Sequence, residues 1–189
     1  MLALPTLGVF SIYFIGSQFL TPPSQEISFE NIGQSQQGTT TPKAISSAPM
    51  GYVAHGFEIP DIQGNIVTLG DFKGKILILV FWTTWNPAAQ DQIAILESYY
   101  QKIKGQANLA LVTINNQEDK SVVSSFVRRG EYQLTVLVDE DGIVGETYGI
   151  HSLPTFYMID KSGIVRDRFI GVLSESEIRE WVARFGVNN

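Results

Sequence analysis

The pattern of hydrophobic and polar positions divides the chain into three stretches. Residues 2–20, bounded by Leu2 and Leu20, are almost entirely apolar and uncharged. At about 1.5 Å of rise per residue, a helix of roughly 19 residues spans the ~30 Å hydrocarbon core of a bilayer. Pro5 falls in its first turn, where a missing N–H costs little. A cleaved signal peptide and an uncleaved membrane anchor both fit such a run. The missing basic n-region, and the lack of a small-x-small site before Pro22, favour the anchor. The first basic residue is Lys43, so charge marks orientation poorly. Residues 21–50 are rich in Ser, Thr, Gln, Gly and Pro and hold few large apolar side chains. They are expected to form a flexible linker rather than a folded unit.

From Gly51 onward the periodicities of a globular domain set in, so the domain is placed at residues 51–189. Residues 55–69, with Gly64-Asn65 as the turn, predict a short hairpin. After the polar break at 71–75, residues 75–82 form an unbroken apolar run, as in a strand covered on both faces. A helix is predicted over 86–104. Asn86 suits its N-cap and Pro87 its first residue, and Ala89, Ile93, Leu96, Tyr100 and Ile103 share one face. Residues 109–114 predict a second buried strand, 119–129 a helix, and 136–138 a short strand. The Asp139-Glu140-Asp141-Gly142 turn then leads into a short helix ending near Tyr148. Thr155 to Ile159 and residues 164–171 predict a hairpin, and Ser174 with Glu177 a capping box opening a last helix. No internal repeat is visible.

Charge and composition narrow the chemistry. The net charge of the 189 residues is −6, which argues against a nucleic-acid partner. The chain contains no cysteine. Thiol–disulfide exchange, thiol peroxidase chemistry and thiolate metal sites each require a sulfur that is absent. His55 and His151, with Met50 and Met158 as soft donors, are the residues a metal reading would use. They are scattered along the sequence and predict no metal site. No Ser-His-Asp spacing, glycine-rich phosphate loop or HExxH motif is present, and no cofactor is expected.

The stretch around which the domain is organised reads Leu77-Ile-Leu-Val-Phe-Trp-Thr-Thr-Trp-Asn-Pro-Ala-Ala89. A buried strand feeding a helix through a tryptophan-rich turn resembles the active-site segment of the thioredoxin superfamily. The nearest pattern is that of membrane-anchored thioredoxins of the cytochrome c maturation type, Phe-Trp-Ala-Thr-Trp-Cys-Pro-x-Cys. Phe81, Trp82, Thr84, Trp85 and Pro87 stand where that pattern puts them, while Asn86 and Ala89 occupy the two cysteine positions. Further resemblance lies in Tyr148-Gly149-Ile150 to Leu153-Pro154-Thr155 and in the Ile159-Asp160-x-x-Gly163 turn. Together these imply a thioredoxin-like α/β fold, a central mixed sheet with helices on both faces, behind an N-terminal transmembrane helix.

The resemblance also assigns site residues. Asn86 and Ala89 are vestigial active-site positions, and no catalytic residue is expected. Val80 stands where many thioredoxins carry a buried acid. The peroxiredoxin pattern Thr-x-x-Cys becomes Thr83-Thr84-Trp85-Asn86, again without sulfur. Leu153-Pro154 matches the superfamily's cis-proline, beside which the backbone of relatives pairs with an extended peptide; a cis bond is therefore predicted. Peptide or partner binding is expected at Trp85, Asn86, Pro87, Leu153 and Pro154. Trp82 is assigned to the core. Two roles stay open for Asn86, a helix cap alone or a cap that also offers its amide to a peptide. Pro154 likewise either shapes the fold alone or also supports binding.

The expectation is thus a redox-inactive, membrane-anchored protein on the periplasmic or outer side, the side being implied by the resemblance. It would act as a non-catalytic binding or accessory subunit of a membrane protein complex, or as an assembly factor. The alternatives are a thiol–disulfide oxidoreductase whose cysteines were lost or engineered out, and an enzyme with non-thiol chemistry.

Overall fold

The computed structural model describes residues 51–185; the apolar run at 2–20 and the linker at 21–50 lie outside them. Among the described residues no helix is long and apolar enough to cross a membrane.

The strands are β1 (Tyr52–Val53), β2 (Glu58–Pro60), β3 (Ile66–Thr68), β4 (Ile76–Trp82), β5 (Leu109–Asn116), β6 (Thr135–Asp139), β7 (Thr155–Ile159) and β8 (Ile164–Ile170). The helices are α1 (Pro87–Ile103), α2 (Lys120–Arg129), α3 (Ile143–Thr147) and α4 (Glu175–Ala183). Six strands form one sheet in the order β1-β8-β7-β4-β5-β6. β4, β5 and β6 run parallel, while β7, β8 and β1 are antiparallel to their neighbours, so the sheet is mixed. The β2–β3 hairpin stands apart as a two-stranded sheet. It reaches the β6 edge through an Asp61–Leu137 bridge and the Ile62 N–H, which donates to the Val136 carbonyl at 3.1 Å.

The apolar run of β4 is explained by its central place. All seven of its residues are buried. Because successive side chains alternate across a sheet, Ile76, Ile78, Val80 and Trp82 face one core and Leu77, Leu79 and Phe81 the other. The first core is closed by Ile93 and Leu96 of α1, Val123 and Val127 of α2, and Ile178 and Trp181 of α4. The second is closed by Phe57, Val144 of α3, Tyr148 and Tyr157. Helices therefore cover both faces.

Two buried polar contacts pin the helices in place. Gln92 on α1, fully buried, accepts from the Leu173 N–H at 2.6 Å and donates to the Leu173 carbonyl at 3.1 Å. The indole N–H of Trp181 donates to buried Asp167 at 2.7 Å, tying α4 to β8. Among the described residues, the buried members of both cores fall between Ala54 and Val182, with Phe185 packed against the first.

The predicted elements are present with small shifts. The first hairpin is shorter than 55–69, because Asp61 accepts from the Gln63 and Asn65 backbone and closes the turn early. Leu69 opens a 3₁₀ turn, Leu69–Phe72, held by reciprocal Thr68–Asp71 hydrogen bonds. β5 continues to Asn116, beyond the apolar run that predicted 109–114. β1 was not predicted: both of its residues are exposed, and its pairing to Ile164 and Val165 is remote in sequence.

Candidate functional site

The site forms where β4 ends and α1 begins. Trp82 is fully buried, its ring 5.3 Å from that of Phe126. The chain then turns through Thr83, also buried. The next residue is clamped from two sides. The Thr84 N–H and hydroxyl both donate to the Glu118 carboxylate, the former at 2.6 Å. Gln90 Nε2 donates to the Thr84 carbonyl at 2.6 Å. Glu118 is itself held by Asn115 Nδ2 at 2.7 Å. The clamp leaves Trp85 projecting from the surface, 68% exposed.

Asn86 follows as the N-cap of α1. Its Oδ1 accepts from the Ala88 and Ala89 N–H groups at 3.0 and 3.3 Å, satisfying two donors that have no partner inside the helix. Its Nδ2 donates to the Leu153 carbonyl at 3.1 Å. One carboxamide thus caps the helix and bridges to the loop facing it. Pro87 is the first helical residue and is exposed; Ala89 is fully buried beneath it.

The facing loop carries the predicted cis bond, Leu153–Pro154. Thr155 donates from its hydroxyl to the Ser152 carbonyl at 2.6 Å, and the Gly171 N–H donates to the Pro154 carbonyl at 2.9 Å. Leu153 is half-buried and Pro154 buried, so Pro154 lies under the loop rather than on its surface. Val172, next to Gly171, is 42% exposed.

Trp85, Asn86, Asn116, Gln117, His151 and Leu153 line a groove of about 470 Å³ between the two loops. Asn116 and Gln117 reach it because β5 runs parallel to β4 and ends beside it, the usual crevice of a parallel sheet. Gln117 holds a left-handed backbone, φ 59°, with its N–H on the Asp139 carbonyl at 2.8 Å. Its side chain lies over Gly142, where a Cβ would come within 2.4 Å. Asp139 is buried at the base of this corner. Burial pushes its carboxyl above the usual carboxylate range, against the opposing pull of the Gly145 and Val144 N–H groups that it accepts.

The groove is lined by amides, a serine, one histidine and apolar side chains, with no carboxylate or lysine. The positive end of the α1 dipole, which elsewhere stabilises an anion or thiolate, meets an uncharged amide oxygen here. The arrangement offers hydrogen-bond donors and acceptors beside an aromatic platform, and no thiol. Trp85, Asn86 and Leu153 meet in this groove; Pro87 and Pro154 do not line it, Pro87 being exposed at the first helical position and Pro154 buried. The histidines are exposed, His55 beside Tyr52 and Tyr148 and His151 on the groove, whereas Met158 is fully buried. Met50 lies outside the described residues. Among the described residues no group of three His, Asp or Glu is placed to hold a metal ion. The residues that sequence reasoning missed are Glu118, Asn116, Gln117 and Gln92. The polar run at the end of an apolar strand, Asn115 to Glu118, was the available signal for the first three.

A thioredoxin-like scaffold with an intact helix start and cis-proline loop, and with an amide and a methyl group at its two thiol positions, is the class that fold and site define. The chain belongs to the AhpC/TSA family, whose model matches residues 50–168. It is similar to the thiol-disulfide oxidoreductase ResA of Bacillus thuringiensis subsp. konkukian, 29% identical over 135 residues, covering 71% of this chain and 78% of the relative. ResA of Bacillus subtilis is 30% identical over 129 residues, covering 68% of this chain and 72% of the relative. Among solved structures, StoA of Bacillus subtilis superposes with a TM-score of 0.61 at 25% identity, covering 69% of this chain and 98% of StoA. The likeness drawn from the Trp-turn-Pro segment therefore holds for sequence and fold alike. The two ResA relatives carry the name thiol-disulfide oxidoreductase; this chain has no cysteine for that reaction.

Proposed function

We propose that the protein is a redox-inactive, membrane-anchored member of this group, whose groove docks an extended segment of a protein partner. It serves as an accessory subunit of a membrane complex or as an assembly factor, on the extracytoplasmic side. The observation that carries the reading is the state of the α1 N-terminus. Asn86 replaces the nucleophile with an internally bonded cap, while the clamped loop, exposed Trp85 and cis-proline loop are kept. A scaffold retained without its reactive group supports binding over turnover. An exposed aromatic beside a rigid, neutral groove suits an anchor contact, and the loop backbone at 151–153 suits strand-like pairing. The run from Leu2 to Leu20, as the anchor, raises the local concentration of the domain at its partner.

Two assays test this. Insulin reduction driven by a dithiol is expected to stay at the no-protein rate; turnover above it contradicts the proposal. A screen of immobilised extended peptides with residues 51–189 is expected to select binders whose affinity falls about tenfold or more in Trp85→Ala, the loss of one anchor side chain. Binders indifferent to Trp85→Ala would remove the groove from the account.

A further inference from the structure

A second concavity lies at the far end of the sheet from the groove. It opens where β4 begins and β7 ends, the pair Leu77 and Ile159 being in register there, while Phe81 and Thr155 pair at the groove end. At about 3.3 Å per residue, the four steps along β4 separate those ends by roughly 13 Å. The cavity measures about 290 Å³. Its floor is apolar, Leu77 and Ile159 with Ala54 beside them, and its sides are Leu69 and Phe72 of the 3₁₀ turn.

Lys73 and Lys75 also line it. Neither ammonium has a hydrogen-bond or ion-pair partner among the described residues. Lys75 is half-buried as a residue, its stem set against the apolar lining while its ammonium has no anion to meet among the described residues. The one carboxylate in the lining, Asp160, is already engaged: it accepts from the Ser162 and Ile164 N–H groups and pairs with Arg166 at 2.6 Å. The Gly74 N–H donates to the Lys161 carbonyl at 3.2 Å, which draws the turn bearing a third lysine alongside. Two cations without a partner among the described residues thus line an apolar well on a chain whose net charge is −6.

An anion alone would be met by the lysines and leave the well unfilled. An apolar molecule alone would fill the well and leave the two ammonium groups at its rim unmet. We infer that this cavity binds a single-chain anionic amphiphile of the fatty-acid type, its carboxylate on Lys73 and Lys75 and its chain over Leu77 and Ile159. The site shares no lining residue with the groove, so it stands or falls apart from the proposed docking function.

Residues 51–189 suffice for the test. The described residues of this domain form two cores, and a match over 69% of this chain covers 98% of the solved StoA chain. Calorimetric titration with octanoate below its micellar range is expected to give one saturable site. Octanol and acetate should each bind about tenfold or more weakly, the loss expected when a charge-assisted contact or the apolar chain is removed. Amide shifts in a ¹⁵N spectrum should concentrate at Gly70, Gly74 and Gly163. The double variant Lys73→Gln/Lys75→Gln should lose octanoate binding about tenfold at an unchanged melting temperature. Equal binding of octanol or of acetate overturns the inference. So does a shift map centred on Trp85 and Leu153. Association with anionic lipid vesicles without saturable octanoate binding overturns it as well, since it would mark a surface charge effect and not a chain-binding site.

Discussion

At the first turn of α1 the Asn86 carboxamide uses both its ends internally, the oxygen on Ala88 and Ala89 and the nitrogen on Leu153. The cap was legible in the sequence, because Asn before Pro at the head of an apolar-periodic run is a strong helix start. The bond to Leu153 was not, since it joins residues 67 positions apart. The two contacts separate by substitution. Asn86→Ala is expected to cost about 1–2 kcal/mol in urea unfolding, and Asn86→Ser to recover the cap's share while leaving the Leu153 carbonyl unpaired. If Ser and Ala cost the same, the cap contributes nothing there. Gln92 offers a sharper test. As Gln it satisfies both the N–H and the carbonyl of Leu173 inside the core. Gln92→Glu places a carboxylate where a donor is required and is expected to cost about 3 kcal/mol at pH 7. Burial raises the pKa of such an acid, so its protonated form, able to donate again, is favoured in the folded state. Stability relative to the parent should therefore recover as pH falls through that raised pKa. A penalty that does not change between pH 7 and pH 5 would contradict this.

At the scale of elements, most of the chain was readable because local signals and tertiary demands agree. The capping box of α4 is present with the Ser174 hydroxyl and the Glu177 carboxylate exchanging contacts. The β7–β8 hairpin closes on Asp160, which accepts from Ser162 and Ile164 and pairs with Arg166. Desolvation pushes its carboxyl up, but the hydrogen bonds from Ile164, Arg166 and Ser162 and the guanidinium charge together hold it below the usual range. A depressed carboxyl stabilises the fold above its unfolded pKa and loses that contribution as pH falls through its folded one. The urea midpoint of Asp160→Asn should thus lie below that of the parent at pH 7, and the gap should narrow by pH 3. A gap that widens in acid would refute the assignment. What the sequence concealed were contacts made by close approach. Gly145 in α3 looks like an ordinary weak helix residue, yet a Cβ there would stand 1.8 Å from Asn116 Oδ1. Its bare Cα lets α3 press against the end of β5 while its N–H reaches Asp139 at 2.7 Å. Gly145→Ala is expected to destabilise by about 1–3 kcal/mol through overpacking, read as a lowered urea midpoint. It should also displace Asn116 at the groove.

For the whole molecule, the order of elements and the Trp-turn-Pro segment made the thioredoxin-like class legible, and family and fold comparisons agree with it. The groove's composition was less legible, because half of its lining comes from the end of β5 and from His151 and Ser152, brought in by sheet topology. The far cavity was not legible at all. Lys73 and Lys75 read as a polar break between strands, and only the fold sets them over Leu77 and Ile159. We propose that a scaffold without thiols works by binding through the groove. The most direct test is recovery of the full-length chain from its native membranes in mild detergent, parent beside Trp85→Ala. Trp85 is exposed, so the variant should keep its stability within about 0.5 kcal/mol. The parent is expected to bring a stoichiometric protein partner that Trp85→Ala loses. A parent recovered alone, or a partner retained undiminished by Trp85→Ala, would contradict it.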